Sequence, residues 1–139
     1  MINEKKISIC SRTFYNNLDL RRKLEKLFKN IKFNKSKKSL EGKSLVNFLK
    51  GSEIALVGLE KMNQKTLGQL PDLKVIVKYG VGLDKIDLKY LKKNKKIHFI
   101  NYENSLRKQY IIFIRENYTK KDVNDIFNSI KKVDSFYKI

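Results

Sequence analysis

Short apolar runs alternate with helix-spaced segments along this chain, and no other feature limits its fold so tightly. Lys6 to Cys10 (KISIC) is β-branched and alternating, which predicts a first strand. Leu18 to Phe28 then places Leu20, Leu24, Leu27 and Phe28 on one helical face, with Asn17 or Asn16 as the cap. Ile31 to Phe33 is a short strand, and Ser44 to Leu49 carries Leu45, Phe48 and Leu49 at helical spacing. Glu53 to Val57 (EIALV), ended by Gly58, reads as a buried parallel strand. A short helix, Asn63 to Leu70, is capped by Asn63 and stopped by Pro71. Leu73 to Val77 (LKVIV) is a fourth strand that runs directly into Tyr79-Gly80-Val81-Gly82. Asp87 caps a helix over Leu88–Lys93, and Ile97 to Ile100 is a fifth strand.

Strand–helix alternation of this kind predicts a parallel sheet covered by helices on both faces. The expected architecture is a flavodoxin-like three-layer α/β sandwich, with a five-stranded parallel sheet in the order 2-1-3-4-5. Ligands of such sheets bind beyond the carboxyl ends of the strands, which gathers Cys10–Thr13, Gly58–Lys61 and Tyr79–Asp84 around one crevice. The C-terminal part is different. Tyr110 to Ile114 (YIIFI) suits a strand or a helix, whereas Val123, Ile126, Phe127, Ile130 and Val133 form one stripe. That stripe predicts an amphipathic helix over 120–136, with Thr119 and Asp122 forming a capping box. Residues 1–105 therefore read as the α/β domain and 106–139 as a linker and terminal helix.

Composition narrows the function classes. The chain has 139 residues, 41% of them hydrophobic, enough for one domain with its own core. Cys10 is the single cysteine, so neither an intramolecular disulfide nor a cysteine-based zinc site can form, and a reducing, cytoplasmic compartment is expected. No apolar run approaches the roughly 18–20 residues that span a bilayer, so no membrane partner is expected. The net charge of +18 raises the alternative of a basic module that binds nucleic acid or another polyanion. Against it, the lysines are scattered in pairs, arginine is confined to positions 12, 21, 22, 107 and 115, and no nucleic-acid motif accompanies them. A receiver-like signalling role is disfavoured by Ser11-Arg12-Thr13, which follows the first strand where an acidic pocket would be needed.

Leu70-Pro71-Asp72-Leu73-Lys74-Val75-Ile76-Val77-Lys78-Tyr79-Gly80-Val81-Gly82-Leu83-Asp84-Lys85-Ile86-Asp87 is the most informative segment. It resembles the pattern P-x-L-K-x-I-x-x-x-G-V-G-x-D-N-I-D of the D-isomer-specific 2-hydroxyacid dehydrogenases, the phosphoglycerate dehydrogenase group in particular. Leu49-Lys50-Gly51 and Ala55-Leu56-Val57-Gly58 match the lead-in of that family, and the resemblance extends over residues 5–105. It implies that main-chain amides of the glycine turn hold the carboxylate of a small 2-hydroxy or 2-oxo acid. On this chain the substrate-binding residues are then Gly80, Val81 and Gly82. A glycine turn suits the task, because bare amides approach a carboxylate without an intervening side chain. Asp87 caps the next helix and Asp84 braces the turn.

Departures from the pattern are as informative. Lys85 stands where the family has Asn, and Leu59-Glu60 follow Gly58 where Arg or Ser is common. A Glu60 carboxylate facing the crevice would repel an acid. Asn101 and Asn104-Ser105 resemble an N-T-P-x-x-N-S segment without its proline. The resemblance also implies NAD as cofactor, held by a Rossmann domain that carries the catalytic Arg, Glu and His. No G-x-G-x-x-G follows a strand here, Arg107 and Arg115 fit no catalytic motif, and His98 reads as a sheet residue. No catalytic and no cofactor-binding residue is therefore assigned. The expected protein is a dehydrogenase substrate domain truncated before its NAD-binding domain and inactive alone: either a remnant, or a binding module for small 2-hydroxy or 2-oxo acids whose activity would need a separate cofactor-domain chain. Glu116 to Val123, with Ile126 and Ser129–Lys132, resembles the closing helix of pyridoxal-phosphate sugar-nucleotide aminotransferases, or is an ordinary helix packing on the sheet.

Overall fold

A computed structural model describes residues 4–79, 82–93, 99–104 and 107–113, the last two segments as backbone. The elements in chain order are β1 (Lys6–Ile9), α1 (Arg12–Asn16), α2 (Leu18–Leu27), β2 (Asn30–Phe33), α3 (Gly42–Leu49), β3 (Ile54–Val57), α4 (Gln64–Leu67), β4 (Val75–Lys78), α5 (Leu88–Lys93), β5 (Phe99–Asn104) and β6 (Arg107–Phe113). They form one sheet of order β2-β1-β3-β4-β6-β5, whose first four strands are parallel.

Period-two alternation on strands covered from both sides divides the core. Ile7, Ile9, Ile54, Leu56, Val75 and Val77 face one way and pack on Phe14, Leu20, Leu24 and Phe28 of α1, α2 and the residue after it. Ala55, Val57, Ile76 and Cys10 face the other way, beneath Leu45, Val46 and Leu49 of α3, Leu67 of α4 and Leu91 of α5. β3 and β4 are buried at every position, as a central parallel strand requires.

The helices begin where side chains can satisfy their first amides. Asn17 accepts the Leu20 N–H at 3.1 Å, Asn63 the Thr66 N–H at 2.9 Å and Asp87 the Tyr90 N–H at 2.9 Å. Glu41 and Ser44 form a reciprocal capping box, which starts α3 two residues before the expected Ser44. α1, absent from the sequence reading, is one short turn nucleated by Ser11, which accepts the Phe14 N–H at 3.3 Å.

The expected five-stranded parallel sheet is corrected at its far edge. The neighbour of β4 is β6, running antiparallel, and β5 pairs outside β6, also antiparallel. Chain length explains the difference. A parallel crossover needs about a dozen residues or more, whereas β5 and β6 are so close in sequence that Asn104 pairs directly with Arg107, as in a hairpin. β5 keeps the direction of the four parallel strands but lies one strand further out. The expected terminal helix over 120–136, the aminotransferase-like segment and His98 lie outside the described residues.

Candidate functional site

Three parallel strands end side by side, and their exits are tied together. After β1, Cys10 donates its N–H to Leu56 O at 2.8 Å. After β3, the Gly58 backbone passes so close to Ser11 that a Cβ there would sit 3.2 Å from the Ser11 hydroxyl. After β4, Tyr79 donates to Val57 O at 2.8 Å, and its ring meets Phe14 edge-on with centroids 5.4 Å apart. The Ser11, Gly58 and Tyr79 exits thus share one edge of the sheet.

The far side of the turn is anchored as firmly. Met62 donates to Lys85 O at 2.8 Å, Asp87 donates to Met62 O at 3.0 Å, and Met62 and Ile86 form a parallel bridge. The loop after β3 and the turn after β4 are therefore two walls stitched at their outer end. Met62 and Ile86 are buried beneath that seam.

Of the three residues assigned to acid binding, Gly80 and Val81 lie outside the described residues. Gly82 is exposed on the crevice wall, and a Cβ there would lie 3.0 Å from Asp84 Oδ1. Asp84 thus folds back over Gly82. Among the described residues nothing accepts the Gly82 N–H.

Two charged groups lie beneath this rim. Glu60 is 2% exposed, and its carboxylate accepts the Gly58 N–H at 2.7 Å. Its carboxylate is turned inward onto the Gly58 amide and does not face the crevice. Lys78 ends β4 and is 5% exposed, and its ammonium donates to Gly58 O. Burial pushes the Lys78 pKa down, while the Glu60 and Asp84 carboxylates act in the opposite sense and favour its charged form. Lys78 escaped the sequence reading because it closes an otherwise apolar strand. The available signal was a lysine in register with three fully buried neighbours, VIVK.

Cys10 lies under the same edge and is fully buried. Desolvation raises its pKa, Glu60 adds to the effect and Lys32 opposes it, so the thiol stays protonated and unreactive. Beside the edge runs a groove of about 670 Å³, whose lining includes Lys43, Leu59, Lys61, Lys65, Thr66 and Lys85. Among the described residues no cluster of His, Cys, Asp or Glu could hold a metal ion, and no helix is long and apolar enough to cross a membrane.

Neither the β1 exit nor the β3 exit fits a dinucleotide. A pyrophosphate needs unencumbered amides on a glycine turn between strand and helix. β1 leads instead into Ser11, whose hydroxyl caps α1, and the Gly58 amide after β3 is already taken by a carboxylate.

A parallel α/β layer whose loops converge beyond the carboxyl ends of its strands belongs to the class of open-sheet domains that bind ligands at that edge. Within that class the family is defined. The family model for the D-isomer specific 2-hydroxyacid dehydrogenase, catalytic domain, matches residues 9–108, and the chain belongs to this family. No curated protein matches the chain.

Proposed function

We propose that this chain is the acid-binding side of an NAD-dependent 2-hydroxyacid dehydrogenase, and that it takes a small 2-hydroxy or 2-oxo acid at the turn over Gly80, Val81 and Gly82. The observation that carries the reading is the Gly82 N–H, exposed at the carboxyl edge and without an acceptor among the described residues. A carboxylate oxygen is the natural acceptor for such an amide, since a charge-assisted hydrogen bond is the stronger kind. The inward-turned Glu60 leaves Asp84, exposed beside Gly82, as the carboxylate an incoming acid has to displace from the rim. The lysines of the neighbouring groove support the reading, by raising the local concentration of anions.

NAD supplies the hydride acceptor or donor in such a reaction. These residues hold the acid and orient its carboxylate, and nicotinamide is held by a cofactor-binding domain outside them. Hydride transfer needs both reactants in contact, so these 139 residues bind without turning over. A reducing, cytoplasmic setting belongs to the same proposal.

Thermal shift and calorimetry with pyruvate, 2-hydroxyglutarate and phosphoglycerate test it, each with and without NAD. An acid alone should raise the melting temperature, and NAD alone should not. Gly82→Ala is the matched control: the added methyl crowds the amide, yet the Asp84 side chain it meets is exposed and free to swing aside. Acid binding should fall about tenfold or more while stability changes by less than about 1 kcal/mol. A shift produced by NAD alone, or equal acid affinity in Gly82→Ala, would sink the proposal.

A further inference from the structure

Gly58 is gripped on both of its main-chain polar groups by buried charges of opposite sign. Its N–H goes to the Glu60 carboxylate at 2.7 Å, and its carbonyl takes the Lys78 ammonium. Glu60 lies two residues beyond Gly58 on the loop after β3, and Lys78 is the last residue of β4. The pair therefore fastens the β3 exit to the end of β4, one residue before Tyr79 opens the glycine turn. No third element is needed to join the two walls at their inner end, just as Met62 and Ile86 join them at their outer end.

We propose that Glu60 and Lys78 are positioning residues of the acid site, which hold the Gly58 peptide against β4 and so set where Gly82 presents its amide. The inference rests on the acid-binding reading above.

Fold maintenance alone is a weak reason for the arrangement. Two charges taken out of water are costly, and these two meet only across the Gly58 peptide rather than in a direct ion pair. A device whose use is geometric differs in its consequence: stability survives neutralisation in part and alignment does not. Electrostatics also tie the pair to the turn, since the Asp84 carboxylate acts on the Lys78 ammonium and the same Asp84 folds over Gly82. The space above Gly58 is closed by Ser11, so the peptide cannot move toward β1, and on the β4 side these partners act together with the Tyr79 N–H on Val57 O at 2.8 Å.

The test compares Lys78→Met, Glu60→Gln and the double variant with the unaltered chain, using the Gly82 and Leu83 amide resonances without ligand, melting temperature, and pyruvate affinity. Each single variant leaves one buried charge unmatched, and a drop in its melting temperature is expected. The double variant removes both charges and should regain part of that stability, the Gly58 carbonyl remaining without its donor. Its Gly82 and Leu83 amide resonances should nevertheless be displaced, and its pyruvate affinity should be about tenfold weaker. Lys78→Arg keeps a donor for the Gly58 carbonyl and should recover part of the affinity. A double variant with unmoved Gly82 and Leu83 resonances and pyruvate affinity within about twofold of the original would overturn the inference. If the unaltered chain takes no acid, the acid-binding reading fails by itself, and the ligand-free resonances still decide whether the pair positions the turn.

Discussion

Glu53 shows how a single side chain organises the amino edge of the sheet. Its backbone donates to Lys6 O at 2.9 Å and accepts from Lys74 and Val75, while its carboxylate takes the Lys74 ammonium at 3.2 Å and the Lys5 ammonium at 3.4 Å. Burial by itself raises the Glu53 pKa, but the bond from Lys74, the Lys6 amide and the Lys5 charge together outweigh it and bring the value below the usual carboxylate range. The ionised form is thus favoured by folding. Its contribution is present in full above the unfolded carboxylate pKa and is lost as pH falls through the lower folded value. Glu53→Gln should therefore cost about 1 kcal/mol at neutral pH, with the difference closing in acid, as urea unfolding at several pH values would show. Gly58 sets a steric limit of another kind. A methyl there meets both Ser11 Oγ and Ser11 Cβ, at 3.2 and 3.3 Å, and Ser11 is buried and committed to capping α1. Gly58→Ala should destabilise by about 1–3 kcal/mol, by overpacking, where Gly82→Ala scarcely does. Equal melting temperatures for the two variants would contradict this account.

The elements most legible in the sequence are those with a local cause. Asn17, Asn63 and Asp87 each announce a helix, because a short polar side chain one residue before an apolar stripe has an amide to satisfy, and each caps as expected. Asn17→Ala should accordingly destabilise by about 1 kcal/mol and shorten α2 from its first turn, which amide hydrogen exchange at Leu20 would register. The two central strands β3 and β4 are equally readable from EIALV and LKVIV, since only central strands are apolar on both faces. What was not readable depends on partners far away in sequence. YIIFI suits strand or helix by itself, and the choice of a β6 wedged antiparallel beside β4 comes from a short connection that favours a hairpin. The same holds for the site. The glycine turn could be recognised by its motif, but the direction of Glu60 could not. Whether a glutamate two residues beyond a strand faces solvent or doubles back to a glycine amide is decided by loop geometry, not by composition.

Charge and chemistry together separate the proposed acid site from a general polyanion surface. A net charge of +18 attracts any anion at long range, and the groove lysines extend that field beside the turn. The two readings differ in how binding answers to salt. A small acid held by one or two amides releases few counterions, so its affinity should weaken only modestly between low and physiological ionic strength. A nucleic acid laid across several lysines should lose affinity steeply, by about a thousandfold or more for six or so phosphate contacts between 50 and 200 mM salt. Pyruvate affinity measured across that range should therefore be nearly flat, and duplex DNA binding at the upper end should be weak and indifferent to sequence. Turnover gives the complementary result. NADH mixed with pyruvate and these residues alone should show no loss of nicotinamide absorbance, because the amides at the β1 and β3 exits are already committed and offer no cradle for a pyrophosphate. Adding a separately produced NAD-binding domain of the same family should restore oxidation if its surface fits the acid side, and Gly82→Ala should lower that restored rate by about tenfold or more at subsaturating pyruvate. NADH oxidation by these residues without any added domain would place the cofactor on this sheet and reverse the assignment.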